Sequence, residues 1–133
     1  METIALQTTQ RNELRDITNQ IKQIVRKSEV EEGIVYLHVP HTTAGITINE
    51  NADPDVVDDI LLKVNEVIDN DSRFQHTEGN SDSHIKSSLF GPTMSLIIHK
   101  GKLLLGTWQG VYFCEFDGPR SRKVFIKILN SKS

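Results

Sequence analysis

Four apolar runs crowd the last third of the chain: MSLIIH (94–99), KLLLGTW (102–108), GVYFCEF (110–116) and KVFIKIL (123–129). Each has strand length and is rich in β-branched, aliphatic or aromatic residues. Turn signals separate them at Lys100-Gly101, Gln109-Gly110 and Asp117-Gly118-Pro119. The spacing predicts an antiparallel meander, and a meander must bury one face of its sheet. The rest of the chain therefore has to supply the cover.

Two amphipathic helices answer that need. In RNELRDITNQIKQIVRKS (11–28), Leu14, Ile17, Ile21, Ile24 and Val25 recur at helical spacing. In NADPDVVDDILLKVNEVI (51–68), Val57, Ile60, Leu61, Val64 and Ile68 make the apolar stripe. Asp53 is placed to cap this second helix and Pro54 to open it, while Asp55 complements the helix dipole. Three more strands are predicted: Ile4–Thr8 by alternation, Ile34–Val39 after the break at Gly33, and Ala44–Ile48 after Pro40. The fold class is α+β, dominated by antiparallel sheet, and 133 residues predict a single domain.

Composition excludes several functions. An aromatic share of 6% offers no set of base-stacking platforms, and a net charge of −3 argues against nucleic acid held by bulk electrostatics. No apolar run approaches the length of a membrane span, and METIALQTTQ has no signal-peptide core. A single cysteine, Cys114, precludes an internal disulfide and fits a reducing compartment. These features predict a cytoplasmic protein with neither nucleic acid nor membrane as partner.

The densest polar stretch is HTEGNSDSHIKSSL (76–89). Its second half fits a short helix with Ser81 or Asp82 as N-cap and Gly91 as stop. His84, Ser87 and Ser88 then share a face, and Lys86 points elsewhere. Free N–H groups near Gly79, Asn80 and the helix start suit an anion, with the serines and Lys86 assisting. The plainer alternative makes Ser81 and Asp82 caps and the rest solvated surface.

Other candidates are scattered. His38 reads as a structural imidazole within a strand, and His99 as exposed beside a turn. His41, His76 and His84 stand at element edges, where three neutral imidazoles suit zinc or a similar divalent ion. Their spacing matches no local ligand pair, and there is neither HExxH nor CxxC. Asn49-Glu50-Asn51 directly follows a strand, a common placement for site residues, and Glu78 and Asp82 are further acid–base candidates. Glu115 shares a strand face with Val111 and Phe113, so it needs a cationic partner, Arg120 or Arg122. Trp108 fits a pocket wall or, more simply, a core or interface anchor, and Cys114 a small core position.

Three long motifs in order, HTTAGITINENADPDVVDD (41–59), HTEGNSDSHIKSSLFG (76–91) and GKLLLGTWQGVYFCEFDGPRSR (101–122), resemble the YjbQ family, often labelled secondary thiamine-phosphate synthase. The resemblance covers nearly the whole chain. It implies a β-sandwich-like core, here covered by two main helices, a homotrimer, and weak thiamine-phosphate synthase activity. Carried onto this sequence, it implies site residues at His41, Asn49 and Glu50. It adds His76, Glu78, Gly79, Asn80, Asp82, His84, Lys86, Ser87 and Ser88, then Thr107, Trp108, Gln109, Glu115, Asp117 and Arg120.

On this reading the HTTA turn and the 76–89 loop form one site for a phosphate-bearing small molecule. His41, Glu50, Glu78 and His84 are its acid–base candidates. Asn49, Gly79, Asn80, Lys86, Ser87, Ser88, Trp108 and Arg120 are its substrate contacts, and His41, His76 and His84 its metal-ligand candidates. Joining a pyrimidine diphosphate to a thiazole phosphate expels pyrophosphate, which calls for cations at the leaving group, usually Mg²⁺. Two other readings stay open. One is metal-assisted hydrolysis or elimination on a small phosphorylated metabolite, with zinc or another divalent ion on the three histidines. The other is a non-catalytic trimer that binds a metal or a small anion.

Overall fold

Residues that alternate between apolar and polar are sorted onto the two faces of sheets, and two sheets here share one apolar interior. The computed structural model describes residues 1–131. In chain order the elements are β1 (Glu2–Gln7), β2 (Glu13–Asp16), α1 (Thr18–Ser28), β3 (Gly33–His38), β4 (Ala44–Glu50) and α2 (Pro54–Val67). They continue with α3 (Ser81–Phe90), β5 (Thr93–His99), β6 (Lys102–Leu103), β7 (Gln109–Glu115) and β8 (Ser121–Asn130). One antiparallel sheet runs β1-β8-β3-β5-β6 and the other β2-β7-β4.

The inward positions of the larger sheet are Ile4, Leu6, Val35, Leu37, Leu96, Ile98, Val124 and Ile126. They meet Ala44, Ile46, Val111 and Phe113 of the smaller sheet, while α1 contributes Ile17, Ile21 and Val25. Full burial of each such side chain is worth about 1.5–3 kcal/mol. This is the α+β, antiparallel, sandwich-like core expected from the sequence.

Its details differ in three ways. The meander does not form: of KLLLGTW only Lys102–Leu103 is strand, and the chain then crosses to the other sheet, where β7 pairs with β2 and β4. β8 returns to lie between β1 and β3. The first helix begins at Thr18, not near Arg11, because the Asp16 carboxylate accepts the Thr18 N–H and hydroxyl. Leu14 belongs instead to β2, where it pairs with Cys114. The cover is also shared differently, since α2 buries no residue completely and α3 packs on β4.

The outer face of the larger sheet carries an apolar row. Ile34 pairs with Ile97 on one side and Leu129 on the other, and all three are partly exposed, as is Tyr36. His38, read from the sequence as a structural imidazole within a strand, does lie in β3, on this same outer face, and is exposed. No helix among the described residues is long and apolar enough to cross a membrane.

Candidate active site

Three segments far apart in sequence converge at one end of the smaller sheet. Pro40 has no N–H and ends the β3 ladder, which frees His41–Thr43 to form a loop before β4. The 78–84 segment arrives through Gly79, whose φ of +76° suits glycine, and enters α3. The strap 117–120 follows β7. A cavity of about 340 Å³ between them is lined by His41, Thr43, Glu78, Asn80, His84, Asp117, Arg120 and Arg122, among others.

The floor is an enclosed ion pair. Glu115 is fully buried and its carboxylate accepts from Arg122 Nε (2.8 Å) and Nη2, the Thr8 hydroxyl (2.7 Å) and the Asp117 N–H (3.0 Å). Burial works against this charge, but the Arg122 fork and the Thr8 hydroxyl outweigh it and hold the carboxyl below the usual glutamate range. Arg122 also donates to Thr43 Oγ1 at 2.8 Å. Of the two partners the sequence allowed for Glu115, Arg122 is the one used.

His41 has a defined role in this geometry. Its Nε2 accepts the Lys123 N–H at 3.0 Å, so the neutral ring carries its hydrogen on Nδ1. Burial, followed by the nearby Arg122 charge, pushes its pKa below the ordinary histidine value. At neutral pH His41 is therefore an uncharged donor, and its Nε2 serves neither as base nor as metal ligand.

The strap is fastened at several points. Asn80 Nδ2 donates to Asp117 Oδ2 (2.9 Å), and Arg120 reaches the same oxygen through Nη2 (3.0 Å) and the Asp117 carbonyl through Nε (2.8 Å). Arg120 Nη1 has no partner among the described residues and its side chain is half exposed. Asn80 Oδ1 is buried without a hydrogen-bond partner among the described residues. At Gly118 a Cβ would lie 2.3 Å from the Gln10 carbonyl oxygen, so only glycine permits this approach of strap to loop.

A second hollow of about 390 Å³ adjoins the first across His84, lined by Phe74, Gln75, His76, Ser81 and Ile85. The His76 and His84 rings meet edge to face at 5.3 Å. Glu78 stands 3.8 Å from His76. His84 thus divides a polar compartment from one with a flat, more apolar wall.

Several expected members of the site lie elsewhere. Lys86 is buried, donating to Asn12 Oδ1 (3.2 Å) and Asn65 Oδ1 (2.7 Å), with Asp82 at 3.9 Å, so it cannot grip a ligand in the cavity. Ser87 donates to the Ala44 carbonyl, tying α3 to β4, and Ser88 donates to the His84 carbonyl within α3. Asn49, Glu50 and Trp108 sit at the opposite end of β4, where Glu50 pairs with Gln109 and Asn51 N–H reaches the Trp108 carbonyl. Six strand steps separate Glu50 from Ala44, on the order of 20 Å. Trp108 is 62% exposed and anchors no core. Among the described residues no three or more His, Cys, Asp or Glu side chains are grouped to hold a metal. His41, His76 and His84 therefore do not form a ligand set within one chain, and no step below is routed through a metal.

Sequence reasoning missed Arg11, Asn12 and Asn65. Arg11 grips Asp82 with two bonds of 3.0 and 3.1 Å. Its location opposite α3 has no local signal, because the pairing spans 71 residues.

Two antiparallel sheets packed as a sandwich, with a histidine- and arginine-lined cavity at one end, make a small α+β protein. The chain belongs to the UPF0047 protein YjbQ-like family, whose sequence profile it matches over residues 2–131. It is 54% identical to the UPF0047 protein MJ1081 of Methanocaldococcus jannaschii, over 96% of this chain and 92% of that one. It is 46% identical to the UPF0047 protein YugU of Bacillus subtilis, over 97% and 98%. An uncharacterized YjbQ/UPF0047 family crystal structure from Clostridium acetobutylicum superposes with a TM-score of 0.94 at 53% identity, covering 97% of this chain and all of that one. A protein of unknown function from Sulfolobus solfataricus gives 0.93 at 34% identity, covering 98% and 96%.

Proposed function

We propose that this protein is an enzyme of small phosphate-bearing molecules, working at the cavity between His41 and His84. The convergence of the 40–43, 78–84 and 117–122 segments on one hollow carries the reading. Arg120, oriented by Asp117, offers its unpaired Nη1 to an anion, and the neutral His41 offers Nδ1–H. Among the described residues, His84 and Glu78 are the titratable side chains at the cavity without a hydrogen-bond partner, so they are the proton-moving pair. The adjoining hollow beside Phe74 and the two imidazoles suits the flat part of the substrate.

The transfer implied by the family resemblance, a pyrimidine diphosphate onto a thiazole phosphate, is the reaction to assay first. Arg120→Gln is expected to weaken substrate binding, and His84→Ala to remove turnover while binding persists. Full turnover in His84→Ala and Glu78→Gln together would sink this proton-moving pair, whereas ligand binding with no turnover in the intact protein would sink the enzyme reading and favour a binder without chemistry. Elemental analysis of untagged protein tests metal-assisted chemistry separately: stoichiometric zinc, lost in His76→Ala and His84→Ala, would revive it.

The homotrimer implied by the same resemblance draws support from the apolar row Ile34, Ile97 and Leu129 on the outer sheet face. Light scattering tests the mass. If turnover is also lost in Glu50→Gln, the distant Glu50 end of β4 completes a neighbouring subunit's site. Unchanged turnover leaves each site within one chain.

A further inference from the structure

A hollow larger than the one just described lies elsewhere in the molecule. About 820 Å³ lies between the C-terminal half of α1 and the β5–β6 turn. Lys22 and Arg26, one helical turn apart on α1, face Lys100 and Lys102 on the turn, with Glu29 and Glu31 beside them. Val30 and Leu103 supply part of its apolar lining.

The distribution of unpaired charge singles out this place. Lys22, Arg26, Lys27, Lys100, Lys102, Lys123 and Lys127 make no ion pair among the described residues, whereas the other seven described Lys and Arg side chains each do. Four of those seven unpaired cations line this one hollow, in a chain whose net charge is −3. Helix-end chemistry accounts for Arg26 and Lys27, which complement the negative end of α1. It does not account for Lys100 and Lys102, which arrive from a separate hairpin. The backbone donors of that turn are already used, Gly101 N–H by the Glu31 carbonyl and Lys100 N–H by Glu32, so side chains alone define the field. Like charges held around a concave, partly apolar surface repel one another until an anion enters.

We propose that this hollow is a second ligand site, for a small molecule bearing two or more linked phosphates. Four flexible cations match a spread anionic charge better than a single phosphate, and the volume lies in the range that encloses such a ligand. The site is separate from the His41–His84 cavity. Glu31 precedes β3 and His41 follows it, and the six-residue strand between them spans on the order of 20 Å.

Pyrophosphate titrated into isotope-labelled protein at physiological ionic strength tests this by amide shifts. Saturable shifts are expected in residues 22–31 and 100–103. Lys22→Gln with Lys102→Gln should weaken binding by about tenfold or more, from two lost charge contacts. Arg120→Gln should leave these shifts unchanged, and Glu29→Gln with Glu31→Gln should tighten binding by removing like charge. All these positions are exposed, and the same spectra report whether each variant keeps its fold. Shifts confined to residues 41–43, 78–84 and 117–122 would overturn the proposal, as would the absence of saturation at millimolar pyrophosphate.

Discussion

Helices α2 and α3 reverse the usual relation between pattern and burial. α2 carries a regular apolar stripe, yet none of its residues is fully buried, and Leu62 and Val67 stand 67% and 70% exposed. α3 has no comparable stripe, yet it buries Asp82, Ser83, Lys86 and Ser87. α2 lies at the periphery, where none of its side chains joins the core, and Asn65 ties it to α3 by accepting from Lys86. α3 is held by directed bonds: Ser83 to the Phe116 carbonyl, Ser87 to the Ala44 carbonyl, and Asp82 between Arg11 and Lys86. Apolar burial fixes that an element packs, whereas paired polar groups fix where it packs, and α3 carries the side chains that line the cavity.

The contrast breaks most sharply at Asp82. Asp82→Ala leaves the Lys86 charge enclosed without its counter-ion and is expected to cost on the order of 3 kcal/mol, read by urea denaturation. Lys86→Met, which leaves Asp82 with Arg11 but frees the half-buried Asn12 and Asn65 oxygens, should cost less, about 1–2 kcal/mol. Losses below about 0.5 kcal/mol in both variants would show that α3 is not held by this network.

Acid should act on the same groups. Burial disfavours the charged forms of Asp82 and Glu115, but Arg11 and Arg122 prevail and hold both pKa values below their ordinary range. The unfolded chain then binds protons first, so their stabilisation is complete above the ordinary carboxylate range and is lost as pH falls through the lowered folded values. Denaturation midpoints measured against pH should fall in acid, and less steeply in Asp82→Ala.

Smaller effects sharpen the comparison. Ser87→Ala strands the Ala44 carbonyl and should cost about 1–3 kcal/mol. On α2, Leu62→Lys should change stability by no more than about 0.5 kcal/mol. Amide exchange should be slower in α3 than in the middle of α2, although α2 is the longer helix.

The same distinction explains what was legible in the sequence. Alternation located β1, and strand-length apolar runs bounded by turn residues located β3, β4, β5, β7 and β8, because both are local properties. Gly91 marked the end of α3, and its φ of +90° shows why. The start of α1 was misplaced because Leu14 happens to fall at helical spacing from Ile17 and Ile21, while a ladder with Cys114, 100 positions away, decides its state. Lys86 was misread for a related reason. Its motif marks it as ligand-grade, but Asn12 and Asn65 reach it from other elements and consume its donors. His41, Glu78, His84 and Arg120 were nominated individually and do share a cavity, whereas Glu50 and Trp108 were set apart by strand length, which motif order does not report.

Gly118 gives the cavity a fixed gauge. Because the Gln10 carbonyl already occupies the place of a side chain there, the strap bearing Asp117 and Arg120 rests directly on the loop after β1. The width of the hollow is thus measured from a backbone contact with no compressible atom between. A single added methyl would lift the whole strap, moving Arg120 relative to His41 and Thr8 relative to Glu115 together. The position works as a shim of zero thickness, and its tolerance is the tolerance of the site.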